Sequence, residues 1–65
     1  MTRKEEMQFN DGVWFAIQTL IADYDEPTIA RHILSELKMD KKEMRRCQKE
    51  SGYSDEIMRK FINNC

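Results

Sequence analysis

From Val13 to Tyr24 the apolar residues Val13, Trp14, Ile17, Leu20, Ile21 and Tyr24 recur at spacings of three and four, which is the repeat of one helix face and not of a strand. An apolar arc that wide is satisfied only when other elements cover it. The cover has to come from a short chain, because 65 residues make one domain, of a size that buries little apolar surface and is marginally stable alone. A second copy would help. One proline and two glycines leave few breaks, so the remaining elements are expected to be helices as well.

The breaks divide the chain into four. Residues 1–9 are charged and lack a clean period, so residues 1–6 are expected to fray while Met7 and Phe9 fold back onto the first helix. Asn10 or Asp11 can cap that helix, expected over about 11–24. Pro27 suits a first helical turn, and the residue before it resists helical geometry. The second helix is therefore expected over about 27–38, with Ile29, Ala30, Ile33, Leu34 and Leu37 along its stripe. Asp40 and Glu43 have capping-box spacing and start a third helix over about 41–50, whose Met44 and Cys47 point inwards. Whether the second and third helices break at Lys38 to Asp40 or run on is open at this level. Ser51-Gly52 is a stop signal, Tyr53 a contact for the turn, and Ser54 a cap for a fourth helix over about 54–63 with Ile57, Met58, Phe61 and Ile62 on its apolar face.

The fold class expected is all-α, a bundle of four short helices with the first packed across the other three and a helix-turn-helix-like pair in the middle. Its core is expected to hold Val13, Trp14, Ile17, Leu20, Ile21, Ile33, Leu37, Met44, Ile57 and Phe61. Phe15 and Ala22 lie nearly opposite Val13. Either the N-terminal arm covers Phe15 or a second subunit does, and Trp14, Phe15 and Ala22 are the candidate residues of a protein interface.

The net charge of −1 gives no general attraction to nucleic acid or membrane, but the distribution is uneven. Residues 1–37 carry three basic and seven acidic side chains, and residues 38–49 carry six and two. Lys41, Lys42, Arg45, Arg46 and Lys49 span an arc of about 140° on the third helix, at 100° per residue. A helix-turn-helix protein reads DNA with the exposed side of its second helix, and several cations give phosphate affinity. Two departures weaken that alternative: Leu34 stands where the helices usually need a small residue, and Lys38 where a glycine commonly makes the turn. The other function class, a protein-interaction module that binds a partner or itself as a homodimer, rests on the marginal size, the wide apolar face and five methionines that adapt to partner surfaces. The basic helix would then meet an acidic protein surface.

Catalysis, cofactors, metals and small-molecule substrates are not expected. His32 is the sole histidine, and no cysteine, serine or carboxylate forms a recognisable catalytic constellation with it, so it is expected at the surface; the Asp23 to Glu26 cluster lacks the calcium-loop pattern. Two cysteines without framework spacing fit a reduced cytoplasmic protein. No apolar run approaches the roughly 18 residues of a membrane span, and the start MTRKEEMQ lacks the apolar core of a signal peptide.

Across Phe9 to Leu37, FNDGVWFAIQTLIADYDEPTIARHILSEL, and the charged close KESGYSDEIMRKF, the chain loosely resembles the small all-helical accessory proteins encoded among the early genes of lambdoid temperate phages. Length and helical layout carry the resemblance. It implies a non-enzymatic accessory or regulatory protein that binds host or phage proteins, in the host cytoplasm, and it transfers no site residue.

Overall fold

The computed structural model describes residues 2–51 and 56–65. Four helices follow one another: α1 (Arg3–Ala22), α2 (Pro27–Glu36), α3 (Lys41–Glu50) and α4 (Glu56–Asn63). Helix α1 packs against each of the other three, and α3 also packs against α4. A helix of 20 residues is about 30 Å long, so α1 alone accounts for the molecule's longest dimension of 32 Å.

The first helix begins eight residues earlier than its apolar period indicates, at Arg3, so that Arg3 to Glu6, expected to fray, and Met7 and Phe9, expected to fold back, form its first two turns. The reason is a capping box at the very start. Thr2 Oγ1 accepts a hydrogen bond from the Glu5 amide at 3.2 Å, and the Glu5 carboxylate accepts one from the Thr2 amide at 3.2 Å, which satisfies two of the amides a helix start leaves open. Phe9 is consequently a helical residue, half exposed, and no arm folds back over Phe15.

Helices α2 and α3 are separate. Lys38 takes a left-handed backbone, φ 56°, and two bonds close α2: the Lys38 amide donates to Ser35 O and the Met39 amide to Leu34 O, both at 3.1 Å. This is the paired C-terminal closure normally built on glycine, and Met39 and Leu34 are both buried in the core. Each of the two helices has its main packing on α1.

The buried core is Trp14, Ile17, Ile21, Ala30, Leu34, Met39, Met44, Cys47, Met58, Phe61 and Ile62, with Val13, Leu20 and Ile33 packed against it. Two expected core residues are at the surface, Leu37 at 41% and Ile57 at 56% exposure. Helix α2 turns Ala30 and Leu34 fully inward, which leaves Ile29 and Leu37 at the edges of its stripe; α4 turns Met58 and Ile62 inward, which puts Ile57 outside. Tyr24 lies beyond the last turn of α1 and is exposed. The Trp14 and Phe61 rings meet tilted at 6.5 Å between centroids, and the Arg31 guanidinium covers Phe61 from outside at 5.5 Å. Gly52, Tyr53 and Ser54, expected to stop α3 and start α4, lie outside the described residues.

Candidate functional site

The five cations of α3 divide into two sets. Arg46 faces inwards: its Nε donates to Glu43 Oε1 at 2.9 Å, and its Nη2 reaches Glu43 Oε2 at 3.1 Å and Asp11 Oδ1 at 3.1 Å. Glu43 also accepts from Arg3 Nη2 at 2.9 Å and from Asn10 Nδ2 at 2.7 Å. The side chains of Glu43 and Arg46 are only 12% and 19% exposed. The hydrogen bonds from Arg46 hold the Glu43 carboxyl down to about 2 against the opposing effect of burial, with Asn10 and Arg3 adding to the shift. Arg46 is in turn raised by Glu43. Lys41 Nζ donates to Asn63 O at 3.3 Å, a cation at the negative end of α4.

Lys42, Arg45 and Lys49 are left pointing to solvent, spaced i, i+3 and i+7 so that they form one stripe on α3. The expected arc of five basic residues is thus a narrower stripe of three, with Lys38 continuing it into the turn.

Lys38 and Lys42 also rim an open groove of about 580 Å³ between the N-terminal half of α1 and the turn joining α2 to α3. Phe9, 50% exposed, and Leu37 supply its apolar surface. The acidic side chains along it are already engaged: Glu43 as above, Glu6 with Arg3 at 3.1 Å, and Asp40 as the cap of α3, its Oδ1 accepting from the Glu43 amide at 2.8 Å. Among the described residues no hydrogen bond or ion pair holds the Lys38 or Lys42 ammonium. The groove therefore combines apolar surface with two ammonium groups that no side chain pairs among the described residues, in a lining of four basic and three acidic side chains.

No family model matches this chain, and neither does any curated protein or solved structure.

The residues expected at a protein interface divide between core and surface. Trp14 is 1% exposed, and its Nε1 donates to Gln48 Oε1 at 2.9 Å, an acceptor it shares with Gln18 Nε2 at 3.0 Å. Its place is the core. Phe15, at 72%, is the most exposed large apolar residue among those described, and Ala22 is exposed two turns further along the same helix. The sequence does not point to Phe9, Leu37 and Lys38 as a site, because its periodicity puts Phe9 outside the first helix and Leu37 in the core.

His32 is at the surface, 3.8 Å from Glu36, one turn on. Cys47 is buried, its thiol pushed up to about 12 chiefly by desolvation, while Cys65 is exposed. Among the described residues no group of three or more His, Cys, Asp and Glu could hold a metal ion, and no helix is long and apolar enough to cross a membrane.

Proposed function

We propose that this protein acts without chemistry of its own, by binding another protein through the groove formed by Phe9, Leu37, Lys38 and Lys42. The observation that carries this reading is the pairing of exposed apolar side chains with cations that have no partner among the described residues, in a cleft whose carboxylates already accept hydrogen bonds. Such a surface attracts an acidic partner and then gains by covering Phe9 and Leu37. Phe15 and Ala22 offer a second, separate apolar surface on α1. An accessory or regulatory role in a reducing cytoplasm belongs to the same proposal, in keeping with two free thiols and with the likeness in layout to early phage accessory proteins.

DNA binding through α3 is the second reading, favoured by the stripe of Lys42, Arg45 and Lys49. Three cations give a small electrostatic footprint beside the 6–10 phosphate contacts of strong binders, and Arg46 and Lys41 are committed within the fold. The test is titration of a fluorescent mixed-sequence duplex at low and moderate salt. The proposal expects weak uptake with a shallow salt slope. Tight uptake with a steep slope, lost in Arg45→Ala with Lys49→Ala, would transfer the function to nucleic acid.

A further inference from the structure

We infer that the occupant of the groove is a second copy of this chain, which inserts its own acidic turn between α1 and α2. The inference rests on the protein-binding reading and names the partner. The turn, Asp23-Tyr24-Asp25-Glu26, has the chemistry the groove lacks: three carboxylates around one aromatic ring, with Tyr24 67% exposed. Among the described residues no ion pair or side-chain hydrogen bond engages Asp23, Asp25 or Glu26, and Glu26 does not use its side chain to cap α2. The unpaired acids of the turn and the unpaired Lys38 and Lys42 of the groove are thus complementary charges that the monomer leaves unsatisfied. Tyr24 supplies a flat side chain to lie on Phe9 and Leu37.

The two features cannot meet within one molecule. The groove uses Arg3, Glu6, Phe9 and Asn10 of α1, whereas the turn follows the last residue of α1 at Ala22, a separation of about 20 Å or more at 1.5 Å per residue. Helix α2 runs back along α1 and delivers Leu37 and Lys38 to the groove end, so the acidic turn and the cationic groove occupy opposite poles. Two copies related by a two-fold axis, antiparallel along α1, place each turn at the other's groove. Both contacts are then equivalent and the assembly closes as a dimer. Two small contacts of this kind sit at the low end of specific interface sizes, so association is expected at micromolar concentrations or above and weakens with salt.

The test is a charge exchange between two variants: Lys38→Glu with Lys42→Glu, and Asp23→Lys with Asp25→Lys. Both leave the core untouched, and Lys38 itself shows that a lysine accepts a left-handed φ such as the 51° of Asp25. Circular dichroism and urea midpoints establish that each variant folds. By size exclusion with light scattering the natural sequence dimerises, each variant alone is weakened roughly tenfold or more because like charges now face each other twice, and an equimolar mixture recovers the dimer, since in the mixed pair both contacts join opposite charges. A dimer that persists in both variants overturns the inference while leaving protein binding in place through another surface. A monomer at every concentration overturns it too. Steep salt-dependent uptake of duplex DNA would instead bring down the protein-binding reading itself.

Discussion

Arg46 and Glu43 stand one turn apart on α3 and bond twice, Nε to Oε1 at 2.9 Å and Nη2 to Oε2 at 3.1 Å, in a fork that Asp11, Asn10 and Arg3 of α1 close from the other side. The fork ties α3 to the N-terminal half of α1, and with it fixes one wall of the groove. One nitrogen, Arg46 Nη1, is buried without a protein partner among the described residues, an uncompensated cost that offsets part of the gain.

Arg46 and its neighbour Arg45 should therefore respond differently to the same substitution. Arg46→Ala leaves a largely buried carboxylate without its main partner and is expected to cost about 2–3 kcal/mol. Arg45→Ala removes an exposed cation and should change stability by less than about 0.5 kcal/mol. Urea unfolding of the two variants makes the comparison; equal losses would mean that the fork contributes little.

The same fork makes the fold sensitive to acid. With its carboxyl held at about 2 from an ordinary 4.5, Glu43 binds its proton more readily in the unfolded chain, so its contribution is complete above pH 4.5 and is lost as pH falls towards 2. The whole effect is at most about 3 kcal/mol, at 1.36 kcal/mol per unit. Unfolding free energy measured against pH should fall through that window, and Glu43→Gln should lower stability near neutrality while flattening the fall.

Lys38 holds the left-handed closure of α2 at a cost of about 1–2 kcal/mol for a residue with a Cβ. Lys38→Gly relieves that strain but adds freedom to the unfolded chain, for a net gain of about 0.5–1 kcal/mol. A raised urea midpoint with unchanged slope is the expected result. At the same time the variant loses a groove cation, so its dimer should weaken as its fold strengthens.

The two thiols should report the fold directly. Cys65 is exposed and Cys47 is buried with its thiol pushed up to about 12, so near neutral pH a thiol reagent should label one cysteine quickly and the other only as fast as the protein opens. Rapid labelling of both would show that α3 does not stay packed on α1.

The helices were legible in the sequence where local signals mark them. Asp40 and Glu43 announce the start of α3, and Pro27 the start of α2. Thr2 and Glu5 carry the same capping spacing, but the lack of apolar period over residues 3–9 hides it; the helix there is held by polar bonds to α3, not by an apolar face. Which apolar residues are innermost was less legible. Five of them line α2, and only its seating on α1 makes Ala30 and Leu34 central and Leu37 peripheral. The basic helix misleads for a related reason: the partners that draw Arg46 inward, Asp11 and through Glu43 also Asn10 and Arg3, lie 33 or more residues away in the chain. No spacing rule within α3 reveals them. The groove inherits both difficulties, since it joins Phe9, which the sequence puts in an arm folded back on the first helix, to Leu37, which it puts in the core.

The proposed activity is recognition of protein, a second copy of this chain first, as against DNA. Sedimentation velocity over a concentration series in reducing buffer, with a mixed-sequence duplex present at low and moderate salt, addresses it most directly. A species that moves from one chain mass to two as concentration rises, weakens with salt and never travels with the duplex is the predicted result. A protein that stays monomeric when alone and travels with the duplex until salt releases it would contradict the claim.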